Sequence, residues 1–374
     1  MIYLDNAATT LRKPKSVCAA MQNAVINMAS PGRGGHFAAQ RAADTVFACR
    51  EKAAQMFGMK NPEHVVFTFN ATHGLNIAIK SLVCPGDTVL ITGYEHNAVV
   101  RPLCSINGVK IRIAKSPLFR PDIMLDEMEK CMTNDVDVVI CTHVSNVFGY
   151  VIPISKIAKL CKERNKPLIV DASQSAGCLP IRMEEWGAQF IAMPGHKGLY
   201  GPQGTGLLLC ANDQVQPLLE GGTGGASAQL SMPEYLPDRL EAGTHNVPGI
   251  AGLLEGLCYL ENADINYIAE AERKLALMTK KYLSDIPGIE VFSIPNLRNQ
   301  TGVLSFRAEQ MDCEQIAALL GEAGIAVRAG LHCAPLAHRT AGTFESGTVR
   351  ISFSPFNHPG EVHCLIRELR KIIK

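Results

Sequence analysis

The sequence predicts an α/β fold: a large domain on a mostly parallel seven-stranded sheet, followed by a smaller C-terminal α+β domain. Three observations carry this. Short apolar runs alternate with helix-length segments over residues 65–210, the pattern of βαβ units. Runs such as Leu168-Ile169-Val170-Asp171 are apolar at nearly every position, as strands buried on both faces are. After Cys210 the pattern changes to two long helical segments and then to mixed short strands and helices.

Taken in order, the chain opens on Leu4-Asp5-Asn6-Ala7-Ala8-Thr9-Thr10, too small to pack a core. It reads as a turn that approaches something closely. A helix is expected over 15–28, then a glycine-rich loop over 30–36. Ala39, Ala42, Ala43, Val46, Phe47, Ala53, Ala54 and Phe57 recur at helical spacing, with Gly58 as the stop. Strands are expected at 65–69, 88–92, 110–114, 137–144, 168–171, 189–193 and 206–210. Between them lie helices ending near 83, starting at 95, and over 124–132 and 154–161. Helices over 249–262 and 265–285 follow, then strands at 290–293 and 302–306, a helix over 313–323 and a strand at 326–328. The chain finishes with a strand at 348–353 and a helix over 359–373. The large domain is placed at 15–260. The small domain takes 1–14 and 261–374 and carries the Cys333 loop.

The chain has 374 residues, 47% hydrophobic and 19% charged, so a large core is affordable and the class is soluble globular. Thirty-six basic against 35 acidic side chains give +1, which argues against a nucleic-acid surface or an anionic membrane partner. The N-terminus lacks the pattern of a signal peptide, and no apolar run reaches ~20 residues. Thirteen scattered cysteines without a C-x-x-C pair predict neither a metal site nor a disulfide framework. They fit the reducing cytoplasm.

Several stretches carry chemistry. Met193-Pro194-Gly195-His196-Lys197-Gly198-Leu199-Tyr200-Gly201 sets one lysine between two apolar strands. Desolvation there lowers an ammonium pKa and favours the free amine that carbonyl chemistry needs. A solvated loop lysine is the plainer alternative. Asp171 ends an apolar strand, where it either caps the next helix or holds a protonated ring nitrogen. Ala71-Thr72 opens a helix after a strand, a place for an anion such as phosphate. His96 begins another such helix and suits ring stacking or proton transfer. Asn146 and Gln174 follow strand ends and offer amides. Cys333, in Arg328-Ala-Gly-Leu-His-Cys333-Ala-Pro, is a loop thiol beside arginine and histidine. Arg350 stands in an apolar strand and needs an anionic partner, a ligand carboxylate or a structural one.

The order of these motifs is more telling than any one of them. From Leu4-Asp-Asn-Ala-Ala, through Asp171-Ala-Ser-Gln174 and His196-Lys197, to Arg350, the chain resembles the cysteine desulfurase and selenocysteine lyase family. That family is part of the class-V aminotransferase group, which has the PLP-dependent transferase fold of type I. The resemblance implies pyridoxal 5'-phosphate (PLP), held covalently by Lys197. It gives Asp171 to the pyridine nitrogen, Gln174 to the ring oxygen, His96 to the ring face, and Ala71, Thr72 and His196 to the phosphate. Asn146 would touch both cofactor and substrate. His36, Arg328 and Arg350 would line the substrate pocket, with Arg350 on the carboxylate. Thr244 would reach the phosphate of a neighbouring subunit, implying a homodimer. Cys333 would be the nucleophile that takes sulfur from L-cysteine, yields L-alanine and passes sulfur to an acceptor protein. Selenocysteine lyase, cysteine sulfinate desulfinase and class-V aminotransferase chemistry use the same fold. A non-catalytic sulfur-relay partner is the remaining alternative. Pro194 departs from the hydroxyl residue usual in the family, Gly198 is an extra residue, and the segment 336–347 is unlike the best-known members.

Overall fold

The computed structural model describes residues 1–32, 34–295 and 297–373, so Arg33 of the glycine-rich loop lies outside the described residues. The strands are β1 (Ile2–Tyr3), β2 (Val65–Thr68), β3 (Thr88–Thr92), β4 (Lys110–Ala114), β5 (Val138–Thr142), β6 (Leu168–Asp171), β7 (Phe190–Pro194), β8 (Gly206–Cys210), β9 (Ile289–Phe292), β10 (Val303–Ala308), β11 (Ile325–Ala326), β12 (Arg328–Gly330) and β13 (Thr348–Ser352).

Strands β2 to β8 form one seven-stranded sheet in the order β2-β8-β7-β6-β5-β3-β4. Neighbours from β7 through β6, β5 and β3 to β4 run parallel, while β8 is antiparallel to β7 and β2. The near-continuous apolar runs follow from coverage on both faces. Leu90, Val139, Val170, Ile191 and Leu209 join one core. Their chain neighbours Val89, Val138, Ile169, Phe190 and Leu208 join the core on the other side. This is the period-two sorting of a strand, and each such side chain contributes roughly 1.5–3 kcal/mol on burial.

A second, antiparallel sheet has the order β12-β13-β10-β9, and its core includes Leu304, Phe306, Val349 and Ile351. The expected strand at 326–328 proves to be two short strands in different sheets. Ile325 and Ala326 pair with Ile2 and Tyr3, whereas Arg328 to Gly330 pair with β13. The N-terminus supplies the missing backbone partners, through Ile2 N–H to Gly324 O at 2.8 Å and Leu4 N–H to Ala326 O at 2.9 Å. The segment after Cys333 holds a helix, Pro335–Ala341, with proline in its first turn and Gly342 left-handed at its end. Among the described residues no helix is long and apolar enough to cross a membrane.

The carboxyl ends of β3, β5, β6 and β7 share one edge of the large sheet. Residues 95–96, 143–146, 171–174 and 195–197 leave from that edge, where open α/β sheets hold ligands.

Candidate active site

Lys197 follows β7. Gly195 N–H donates to Thr205 O at 2.8 Å and Gly201 N–H to Gly195 O at 2.8 Å, so the loop is tied at its base. Gly198 has a steric reason: a Cβ there would stand 2.3 Å from Ala176 O, and one on Gly177 would stand 2.0 Å from Gly198 O. Burial, and next the Arg350 cation, bring the Lys197 pKa down to about 8, with Asp171 opposing. At pH 7 roughly one molecule in ten then carries the free amine, against about one in three thousand for an ordinary lysine.

Asp171 ends β6 beside Thr142 of β5. Its Oδ1 accepts from Ser173 N–H at 2.9 Å and from the Ser173 hydroxyl, which leaves Oδ2 without a donor among the described residues. Behind it lies Glu95, fully buried. Glu95 Oε1 accepts from Thr92 Oγ1 at 2.6 Å and Thr142 N–H at 2.8 Å. Burial outweighs those bonds and pushes the Glu95 pKa up to about 8, so it is protonated at neutral pH beside the Asp171 carboxylate. His96 caps the helix Asn97–Ser105: its Nδ1 accepts from Ala98 N–H at 3.0 Å, which assigns the proton of the neutral ring to Nε2. Burial lowers its pKa, Asp171 opposing and Lys197 assisting.

Helix Ala71–Leu82 starts at this edge. Asn70 Oδ1 takes the His73 N–H at 2.9 Å, leaving those of Ala71 and Thr72 without a partner among the described residues. The N-terminal turn packs against the far side. Gln174 Nε2 donates to Ala7 O at 2.9 Å. His196 Nδ1 lies 3.0 Å from Thr9 Oγ1, and His196 O accepts from Thr10 Oγ1 at 3.1 Å and Lys13 Nζ at 2.9 Å. Burial, with Lys197 and Lys13 nearby, takes the His196 pKa down to about 4. The expected close approach of this small-residue turn is therefore to the lysine loop. Ala71, Thr72, His96, Asn146, Asp171, Gln174, His196 and Lys197 together line one cleft of about 510 Å³. Pro194 lines it too, offering no hydroxyl.

The remaining expected residues lie elsewhere. Cys333 is exposed, in a loop whose His332 and Cys333 are both left-handed (φ +49° and +57°). Asn146 Nδ2 donates to His332 O at 2.7 Å and Asn97 N–H to Cys333 O at 2.8 Å, docking the loop on the sheet edge. Arg350 is 2% exposed. It donates to Asn146 O at 2.9 Å and to Asp5 Oδ1 at 2.7 Å, so its anionic partner here is the chain's own Asp5. Arg328 is exposed opposite Arg350 in the β12–β13 register. His36 is exposed and caps helix Phe37–Phe57 through Nδ1, 3.3 Å from Ala39 N. Thr244 lines a separate cavity with Phe69, His73 and Leu219, outside the Lys197 cleft.

The class-V aminotransferase family model matches residues 2–365. The chain belongs to the class-V aminotransferase family. This family member is 33% identical to a probable cysteine desulfurase of Methanothermobacter thermautotrophicus, with 99% of this chain and 94% of the relative covered. It is 32% identical to a probable cysteine desulfurase of Pyrococcus abyssi, over 100% and 94%. Among solved structures, the apo cysteine desulfurase of Thermococcus onnurineus matches with a TM-score of 0.93 at 31% identity, over 100% and 94% of the two chains. The Escherichia coli cysteine desulfurase CsdA matches at 0.87 and 28%, over 99% and 94%. The resemblance drawn from the order of motifs and the fold class both agree with these findings.

Sequence reasoning missed two parts of this family member's site. Glu95 was visible only as the start of a helix, and nothing local marks it as buried. Asp5 stood in the small-residue turn, but its pairing with Arg350, 345 residues away, is a product of tertiary topology.

Proposed function

We propose that this class-V family member is a PLP-dependent cysteine desulfurase that converts L-cysteine to L-alanine and keeps the sulfur as a persulfide on Cys333. The observation that carries this reading is Cys333 itself. It is an exposed thiol in a loop docked by Asn146 and Asn97, next to the cleft that holds Lys197 and Asp171.

The donor set fits PLP. Among the described residues, Asn146 Oδ1 is buried without a partner, Asp171 Oδ2 has no donor, and the Ala71 and Thr72 N–H groups are open at a helix N-terminus. Ala71, Thr72 and His196 would hold the phosphate, Asp171 the pyridine nitrogen, Gln174 and Asn146 the ring oxygen, His96 the ring and Lys197 the carbonyl carbon. Bound there, the group supplies an electron sink for charge developing at the substrate Cα.

The rest belongs to the protein's own residues. Lys197, depressed toward the free amine, takes the Cα proton. The Cys333 thiolate attacks the substrate sulfur. The S–S bond forms as the substrate C–S bond breaks, with the electron pair staying on carbon; a proton added to that carbon and the proton returned to Cα by Lys197 complete alanine. The substrate carboxylate binds Arg350 by competing with Asp5, with Arg328 and His36 as further candidates at the pocket. Thr244 serves the neighbouring subunit of a homodimer. Its segment is anchored by the buried Glu241, which accepts from Arg50 Nη1 at 2.8 Å and Phe67 N–H at 2.6 Å. Completing the proposal are a cytoplasmic location, a sulfur-acceptor protein, and the division into a large domain over 15–260 and a small one over 1–14 and 261–374.

The test is alanine formation from L-cysteine by the wild type and Cys333→Ala side by side, with PLP and a reductant. The expected result is alanine and sulfide from the wild type alone. Equal turnover by the variant would remove Cys333 from the reaction.

A further inference from the structure

Two buried histidines stand behind the Cys333 loop and take no part in the chemistry proposed above. His332 precedes the thiol, and His338 sits fully buried in helix Pro335–Ala341. Their rings lie 5.7 Å apart, 27° from parallel. His332 Nε2 is 3.1 Å from Thr348 O, and since a carbonyl only accepts, the ring proton is on Nε2. His338 Nδ1 is 2.7 Å from Thr343 Oγ1. Thr343 N–H donates to His338 O at 2.9 Å, and Gly347 N–H to Thr343 O at 2.9 Å. Thr348 is the next residue, at the start of β13. The contacts close a circuit from His332 through Thr348, the 343–347 turn and His338 back to His332.

This circuit addresses a specific difficulty. Two consecutive non-glycine residues in the left-handed region are unfavourable and persist only when their surroundings over-determine them. Asn146 and Asn97 hold the two carbonyls from the cleft side. The circuit fixes the direction of the His332 side chain, through Thr348 and the His338 ring. Packing alone does not account for the choice of histidine, because His332 Nδ1 and His338 Nε2 are buried without partners among the described residues. Apolar rings would fill the space without that cost. Burial keeps both rings neutral, so they stack without repulsion.

We infer that the His332–His338 pair, closed by Thr343 and Thr348, is a clamp that holds Cys333 in its left-handed geometry for attack on the substrate sulfur. The pair are positioning residues, and the inference rests on the desulfurase reading above. It makes Cys333 chemistry separable from the cofactor chemistry at Lys197. Cysteine sulfinate can lose sulfite from the same carbon without a thiol attack, so it reports the cleft without the loop.

The test uses the holoenzyme with Thr343→Val, which removes the hydroxyl on His338, and Thr343→Ser, which keeps it. Alanine formation is measured from L-cysteine and from cysteine sulfinate, alongside amide hydrogen exchange of residues 331–334. In Thr343→Val, the L-cysteine rate is expected to fall by about tenfold or more, since a displacement of ~1 Å at a reacting group costs up to ~100-fold. The sulfinate rate stays within about twofold, loop exchange accelerates, and Thr343→Ser restores all three toward wild type. Equal losses on both substrates, or unchanged exchange and L-cysteine turnover, would overturn the clamp. A wild type inert toward L-cysteine sinks the desulfurase reading instead, while the exchange comparison still decides whether the clamp exists. His338→Phe repeats the comparison if Thr343→Val does not fold.

Discussion

Arg350 Nη2 lies 2.7 Å from Asp5 Oδ1, joining the second strand of the small sheet to the first turn of the chain. Burial of the guanidinium is offset by this carboxylate and by the Asn146 carbonyl, while Arg350 Nε has no acceptor among the described residues. Removing one partner of a buried pair leaves an uncompensated charge. Asp5→Asn is therefore expected to destabilise the protein by about 3 kcal/mol. Denaturant unfolding of the variant measures this, and a change within experimental scatter would mean the pair is not what holds Arg350.

The Lys197 pKa makes a pH prediction with a definite sign. Folding depresses it from 10.5 to about 8, so the unfolded chain binds more protons between those values. Stability from this group rises with pH across that window. In cofactor-free protein, Lys197→Met is expected to be more stable than wild type at pH 7 by about 3 kcal/mol, the gap closing by about pH 10.5. Urea unfolding of both proteins at several pH values reads the difference and cancels the other titrating groups. A gap that stays constant with pH would contradict the depressed lysine.

Gly198 has no room for a methyl group, since its Cβ would meet the Ala176 carbonyl at 2.3 Å. Backbone must move to admit it. Gly198→Ala is expected to cost about 1–3 kcal/mol and to shift the neighbouring Lys197. Thermal unfolding gives the first effect, and the cofactor absorbance of the holoenzyme gives the second.

The buried Arg50–Glu241 pair ties helix Phe37–Phe57 to the segment that carries Thr244, and both side chains are under 10% exposed. Glu241→Gln breaks the charge balance and loosens the hold on the Phe67 amide. The expectation is a loss of about 3 kcal/mol together with faster amide exchange over residues 240–246, read by mass spectrometry.

Much of this organisation was legible in the chain. Strands such as Thr88–Thr92 and Gly206–Cys210 are short apolar runs between turn signals, and a sheet buried on both faces leaves that pattern in sequence. The cleft was legible for the same reason, because strand-end residues of one parallel sheet gather at one edge. What escaped depends on partners distant in sequence. Ile325 and Ala326 form a strand only because Ile2 and Tyr3 lie beside them. Glu95 looks like any helix-start carboxylate until burial makes it a neutral acid. Helix Pro335–Ala341 is only seven residues long and is stabilised by burying Ala337 and His338 rather than by local periodicity.

The account turns on Cys333 accepting the substrate's sulfur. The most direct measurement is the mass of the Cys333-containing peptide after a single turnover with L-cysteine and PLP, without reductant. The account predicts a gain of one sulfur atom on that peptide, reversed by reductant and matched by one alanine per active site. Alanine released in that amount with Cys333 unmodified would contradict it.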